Sequence, residues 1–97
     1  MSQFKKLLSD RTKIMVAGDM LKHYYHNKKD ENTKAVGEAL EAIKKKEPFY
    51  WKILEFLYLN NWSARKSWME IQYCSERTFY YKRDMMLLEI YDYVFND

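Results

Sequence analysis

The chain has 97 residues, of which 47% are hydrophobic and 32% charged, and its formal net charge is +3. This length and composition exclude a disordered solvating tail and predict one small soluble domain with a modest core. No apolar stretch approaches the roughly 20 residues of a transmembrane helix, and the N-terminus lacks the apolar region of a secretory signal. We therefore expect a cytoplasmic protein that makes no membrane contact.

The residues that could carry catalysis or bind a metal are few. Cys74 is the single cysteine, which excludes an internal disulfide. His23 and His26 lie three residues apart, but the sequence fixes no third metal ligand near them. No residue is placed by the sequence to orient Cys74 as a nucleophile or to stabilise an oxyanion. We therefore expect neither an enzyme nor a protein with a metal ion or another cofactor.

Helix is the predicted secondary structure throughout. Only two glycines and one proline interrupt the chain, and no segment shows sustained two-residue alternation of apolar and polar side chains. The sequence therefore predicts an all-α fold, a small bundle of about five helices, in a single domain over residues 1–97.

The first half of the chain predicts two helices. The first begins near Ser2 or Asp10 and ends near His26, and a polar loop follows it. Thr33 is the predicted cap of the second, and Lys44, Lys45 and Lys46 close its last turn, where they complement the negative end of the helix dipole. We expect this part, residues 1–46, to mediate dimerisation or partner contact.

Two apolar stripes could each form a seam with a second copy of the chain. The first stripe, with a spacing of seven residues, consists of Leu7, Ile14 and Leu21. The second stripe has the same spacing and consists of Tyr81, Leu88 and Phe95. A homodimer built on either seam would read two DNA half-sites about 34 Å apart.

The third predicted helix begins with Pro48, which has no N–H to lose at a first helical position, and continues to about Asn60. This segment is apolar on nearly all sides, which is typical of a helix in the middle of a bundle. Its predicted core residues are Trp51, Ile53, Leu54, Leu57 and Phe56.

The fourth predicted helix is short. Ser63 and Ser67 are both candidate N-caps, and we favour Ser63 because a start at Ser67 leaves only about two turns. The inward stripe of this helix then consists of Ala64, Trp68 and Ile71. Tyr73 and Cys74 form the turn that follows.

Ser75 is the predicted N-cap of the last helix, which runs from Glu76 to about Val94. Five residues of this helix are predicted to face inward: Phe79, Met86, Leu87, Ile90 and Val94. Two helices joined by so short a turn predict that residues 48–95 form a helix-turn-helix, in which the first helix braces the second against DNA.

The charge distribution supports this interpretation. Residues 61–83 carry five cations against two anions, whereas residues 84–97 carry four acids and no cation. Arg77 is the best candidate for reading a base, because a guanidinium can bond guanine O6 and N7 together, and Glu76 could accept from cytosine. Arg65 and Lys66 begin the brace helix, where N–H groups and cations suit a phosphate. The predicted DNA-contacting residues are Arg65, Lys66, Glu76, Arg77, Thr78, Tyr80, Tyr81, Lys82 and Arg83.

The stretch CSERTFYYKRDMMLLEI resembles the C-terminal recognition segment of phage-encoded transcriptional regulators of the ArpU and RinA type, which are similar to region four of bacterial sigma factors. The resemblance covers residues 48–94 and is most specific over residues 75–80. It implies a regulator that binds double-stranded DNA upstream of phage late or packaging genes in the bacterial host cytoplasm, with contact to RNA polymerase or another phage regulator. Met86 and the bulky pair Tyr73 and Cys74 depart from the pattern.

A second hypothesis needs no DNA. Aromatic residues make up 18% of the chain, which is more tyrosine than a small core can bury, and tyrosine is enriched at protein interfaces. The protein could therefore be a helical adaptor that binds RNA polymerase or another regulatory protein without reading DNA.

Overall fold

The computed structural model describes residues 8–27, 33–71 and 74–95, and every regular element within them is helical. This confirms the predicted all-α fold. The elements in chain order are α1 (Asp10–His26), α2 (Lys34–Lys46), α3 (Lys52–Leu54), a π-helical segment (Glu55–Leu59), α4 (Ala64–Ile71) and α5 (Glu76–Phe95).

The start of α1 is set by a cap. The Ser9 hydroxyl accepts a 3.1 Å hydrogen bond from the backbone N–H of Thr12, and Asp10 places a negative charge in the first turn. Both features satisfy or complement the free N–H groups of a helix N-terminus. Of the two predicted starts, Asp10 is therefore the one observed for α1, and Ser2 lies outside the described residues.

The third predicted helix differs from its prediction. Pro48 does not open it, because residues 48–51 form turns and α3 begins only at Lys52. One helical turn later the backbone widens into the π-helical segment, where the N–H of Asn60 donates to the carbonyl of Glu55 at 3.0 Å. Asn61 then adopts a left-handed conformation with φ of 61°, which asparagine tolerates better than most residues, and this ends the helical run.

Two of the five predicted core residues of this third segment are fully buried. Ile53 and Leu54 are fully buried, while Trp51, Phe56 and Leu57 are half-buried against the same cluster. Two adjacent residues cannot both face one neighbour in an α-helix, so their joint burial indicates that this segment is covered on more than one side.

The core is formed mainly between the last helix and the first two, because α5 packs against both α1 and α2. Of the five predicted inward residues of α5, Phe79, Met86, Leu87 and Ile90 are buried and Val94 is half-buried against them. Tyr91 is buried as well, which the sequence did not predict.

The described part of the α1 apolar stripe packs into the core of the domain. Leu21 is fully buried in the core and Ile14 is half-buried against it, and Leu7 lies outside the described residues. The expectation that this stripe could form a dimer seam is therefore wrong at Leu21, whose side chain is already covered by the chain itself.

Gly18 explains how α1 comes so close to the π-helical segment. A Cβ atom at this position would lie 2.9 Å from the Tyr58 hydroxyl oxygen, which is closer than Cβ atoms approach non-bonded neighbours in practice. The glycine therefore leaves room for the Tyr58 ring against the helix.

Candidate nucleic-acid interface

The connection between α4 and α5 is held by a side-chain hydrogen bond. The indole Nε1–H of Trp68 donates to the backbone carbonyl of Cys74 at 2.9 Å. Trp68 itself is half-buried against the core, together with Cys74. Burial raises the pKa of the Cys74 thiol above its ordinary value. The bond ties the end of the turn to the body of α4, and Tyr73 lies outside the described residues.

α4 begins as the sequence predicts. The Ser63 hydroxyl accepts a 3.1 Å hydrogen bond from the N–H of Lys66, which makes Ser63 the N-cap. Ser67, the alternative cap, is instead fully buried, and its hydroxyl donates to the Ser63 carbonyl at 2.8 Å. Because a buried hydroxyl needs a partner, this bond accounts for a serine in the core.

Two exposed cations occupy the first turn of α4. Arg65 and Lys66 both face solvent. The Lys66 ammonium lies 4.3 Å from the centre of the Trp62 ring, which in turn stacks on Phe56 at 4.7 Å. A cation held over an aromatic face keeps its charge exposed while its position is restricted. The start of α4 is therefore a positively charged surface.

α5 begins at the predicted cap. The Ser75 hydroxyl accepts from the N–H of Thr78 at 3.1 Å and lies 3.1 Å from the Thr78 hydroxyl. One turn on, Phe79 is fully buried. A cap at the first residue and an anchor in the core four residues later together fix the rotation of the helix about its own axis. The first turn of α5 therefore has a defined orientation relative to the core.

That rotation determines which predicted residues face outward. Glu76 and Arg77 are exposed, and Tyr81, one turn after Arg77, is 60% exposed. Among the described residues none forms an ion pair with Arg77. The guanidinium is thus available to a ligand that approaches the start of α5.

Lys82 points to one flank of α5 and is engaged within the chain. Its ammonium lies 3.1 Å from a carboxylate oxygen of Glu47 and 4.9 Å from the centre of the Tyr50 ring. Both charged side chains are only about a quarter exposed, at 28% and 27%. Lys82 therefore joins α5 to the connection between α2 and α3.

Arg83 points to the other flank, toward α1. It forms an ion pair with Asp84 at 2.8 Å and lies 4.8 Å from the centre of the Tyr80 ring. Tyr80 is half-buried and packs edge-to-face on Phe79 at 5.3 Å. Arg83 and Asp84 also line an open cleft of about 620 Å³ with residues of α1 and Tyr58.

The nine predicted DNA-contacting residues therefore separate into two groups. The outward group consists of Arg65, Lys66, Glu76, Arg77 and Tyr81. The second group is half-buried and already bonded or packed within the chain, and consists of Thr78, Tyr80, Lys82 and Arg83.

One outward residue was missed. Met85 is 41% exposed and lies one turn after Tyr81 on the same face of α5. The helical spacing of four residues between them was the signal that would have found it.

Neither a membrane span nor a metal cluster is found in the described parts of the chain. None of the helices there has the length and apolar character required to cross a bilayer. In the same residues, no three side chains of histidine, cysteine, aspartate or glutamate are grouped so that they could hold a metal ion. Compared with family profiles, curated proteins and solved structures, the chain matches none of them.

Proposed function

We propose that this protein is a sequence-specific DNA-binding transcriptional regulator that contacts DNA with the first turns of α4 and α5. The observation that carries the proposal is the presentation of Arg77. Ser75 caps the helix, Phe79 anchors it in the core, and Arg77 between them is exposed and unengaged by the acids of the described chain. An exposed guanidinium in the first turn of a capped and anchored helix is the arrangement that recognition helices use in the major groove.

Arg77 is the proposed base-reading residue, with guanine as its partner. Glu76, exposed beside it, would accept a hydrogen bond from cytosine and would be repelled by phosphate. Tyr81 lies one turn further along the same face, so its hydroxyl suits a backbone phosphate next to the bases read by Arg77.

Arg65 and Lys66 are the proposed phosphate contacts. Both are exposed in the first turn of α4, where free backbone N–H groups add to the attraction for an anion. Within the described residues, no ion pair involves either side chain. Phosphate contacts set the register of the protein on the duplex, while Arg77 supplies the sequence preference.

The proposal changes the role of two predicted residues. Lys82 and Arg83 each have a carboxylate within ion-pair distance, at Glu47 and Asp84. A phosphate would have to compete with that carboxylate, so these cations contribute mainly to the positioning of α5 and little to the affinity for DNA.

The regulated genes follow from the resemblance of residues 48–94 to phage transcriptional regulators of the ArpU and RinA type. On that ground we propose binding upstream of phage late or packaging genes. The test is a footprint of the purified protein on the DNA that flanks its own gene, with a scrambled sequence of the same composition as the control. Protection of one defined site at concentrations that leave the scrambled DNA unprotected is expected, and equal protection of both would contradict sequence-specific binding.

A second candidate function is the helical adaptor. It is favoured by one observation, the exposure of Tyr81, Met85 and Phe95 on a single helix, at 60%, 41% and 37%. Aromatic and methionine side chains are enriched at protein interfaces. The two candidates differ in salt dependence, because DNA affinity falls steeply with salt concentration through counterion release, whereas an apolar contact does not.

A further inference from the structure

The side of α5 that faces away from the domain has an apolar centre. Its apolar members are Tyr81, Met85, Leu88 and Phe95, of which Tyr81, Met85 and Phe95 are exposed and Leu88 is half-buried. Their spacings of four, three and seven residues place them on one stripe of an α-helix. We call this stripe, together with Arg77, Asp92 and, at its edge beside the cleft with α1, Asp84, the outer face of α5.

Opposite charges flank Tyr81, Met85 and Leu88 on the outer face, and Phe95 lies beyond Asp92. Arg77 stands before the apolar centre and Asp92 toward its far end, and both are exposed. Their separation of fifteen positions corresponds to about 22 Å along the helix axis, so the two side chains cannot pair with one another. Within residues 8–27, 33–71 and 74–95, no ion pair involves either side chain.

This arrangement is complementary to itself when two copies run in opposite directions. The midpoint between Arg77 and Asp92 falls between residues 84 and 85. The midpoint between Tyr81 and Leu88 falls at the same place. An antiparallel second copy therefore places its Asp92 against Arg77 and its Leu88 against Tyr81, with Met85 beside the two-fold axis. A parallel copy would instead place Arg77 against Arg77 and Asp92 against Asp92, which is unfavourable.

Asp84 is the remaining charge near the axis. In the antiparallel arrangement the two Asp84 side chains approach each other, and this would oppose association if both were unpaired. Each is already in an ion pair with Arg83 of its own chain at 2.8 Å. The centre of the outer face is therefore close to neutral.

We infer that the outer face of α5 binds a second copy of this chain in antiparallel orientation. The contact is one helix against one helix and is smaller than the roughly 1,200–2,000 Å² buried in stable interfaces. The dimer is accordingly weak, and its population depends on protein concentration.

The dimer has a consequence for DNA binding that rests on the proposed function. Arg77 and Tyr81 belong both to the outer face and to the proposed DNA surface. A dimer of this kind covers the recognition residues of both copies, so it holds the protein in a state unable to bind DNA. This is the opposite of a dimer that reads two half-sites, and dimerisation itself does not depend on the proposed function.

The first test is charge exchange, measured by sedimentation equilibrium without DNA. Asp92→Arg and Arg77→Asp should each raise the dimer dissociation constant by about tenfold or more, because each places like charges together. The double variant Arg77→Asp with Asp92→Arg restores opposite charges and should return the constant to near the starting value. Glu70→Arg, the same charge change as Asp92→Arg but on the exposed surface of α4, is the matched control and should have little effect.

The second test establishes orientation by disulfide trapping in a Cys74→Ser background, with circular dichroism confirming that each variant folds. Protein carrying Tyr81→Cys is mixed with an isotopically heavy protein carrying Leu88→Cys and oxidised. Antiparallel packing predicts the mixed disulfide over either self-disulfide. Two Tyr81→Cys sites would lie about 10 Å apart along the axis, beyond the roughly 7 Å between Cα atoms that a disulfide allows.

Three results would overturn the inference: a monomer at all concentrations, a double charge variant that fails to recover, or preferential self-disulfides. Neither test contains DNA. A failed footprint would therefore count against the proposed function and leave the sedimentation and disulfide results unaffected. If the footprint and the dimer are both found, the double charge variant separates dimerisation from base reading, because it dimerises without Arg77.

Discussion

The ammonium of Lys82 lies 3.1 Å from a carboxylate oxygen of Glu47, although the two residues are thirty-five positions apart in the chain. The contact joins the second turn of α5 to the segment that follows α2. It also means that the Lys82 charge, near the start of α5, is already paired within the protein.

Lys82→Ala should therefore lower the stability of the domain more than it lowers DNA affinity. The side chain is partly buried, and we expect a loss of about 1 kcal/mol in the free energy of unfolding. Urea denaturation of Lys82→Ala, Glu47→Gln and the double variant measures the coupling between the two residues. Additive losses would show that the pair contributes nothing, and Lys45→Ala, an exposed lysine of α2, is the control.

Lys66→Ala should have the reverse effect. Its ammonium is exposed over the Trp62 ring, so its loss should change stability little. If Lys66 contacts a phosphate, the slope of log affinity against log salt should become less steep by about 0.9. Mobility-shift titrations over a range of salt concentrations measure the slope. The role in DNA binding is refuted if Lys66→Ala and Lys45→Ala give the same slope as the original protein.

Arg77→Ala should weaken binding to the cognate site by about 1–3 kcal/mol and relax the sequence preference, without lowering the melting temperature. Arg77→Lys keeps the charge but loses the two parallel hydrogen bonds, so it should recover non-specific affinity and little of the preference. Competition between cognate and scrambled duplexes measures both quantities. Equal losses on the two duplexes would assign Arg77 to the phosphate backbone instead.

Phe79→Ala should destabilise the domain by about 3–5 kcal/mol, because it empties a fully buried site between α5 and the rest of the core. Phe79→Leu retains most of the apolar volume and should cost much less. Thermal unfolding followed by circular dichroism compares the two. An unchanged melting temperature for Phe79→Ala would contradict the role of this ring as the anchor of α5.

The raised pKa of Tyr25 leads us to expect a loss of stability at alkaline pH. Burial, aided by the negative charge of Glu55, raises the pKa of its phenol well above the ordinary value of 10.0. The folded state therefore keeps the proton where the unfolded chain releases it, and the free energy of unfolding falls as the pH rises past 10. Below that pH the contribution is constant.

Tyr25→Phe removes this dependence and should lessen the fall of stability above pH 10. The Tyr25 hydroxyl is buried and makes no hydrogen bond within the described residues, so at neutral pH the same substitution should be neutral or stabilising. Urea denaturation at pH 7 and pH 10.5 measures both effects. If the free energy of unfolding of Tyr25→Phe differed from that of the original protein by the same amount at both pH values, the assignment would be contradicted. Tyr81→Phe, on the exposed surface, is the control.

Local signals in the chain predicted most of the helices and their orientation. Ser63 and Ser75 were identified as caps because capping depends on residues three positions apart. The inward face of α5, from Phe79 to Ile90, was identified because helical periodicity relates residues within a few turns. The DNA-binding assignment and the resemblance on which it partly rests stay predictions.

Only the tertiary structure decided which charged and apolar residues remain free. Lys82 and Arg83 are adjacent in sequence and were assigned one role, yet they lie on opposite flanks of α5 with different partners. Leu21 belongs to a stripe that suited a seam between copies, and α5 covers its helix instead. Periodicity in the sequence shows that a helix face is apolar or charged. What packs against that face depends on contacts between segments that are distant in sequence. Those contacts leave Arg77 exposed and place Lys82 in an ion pair with Glu47.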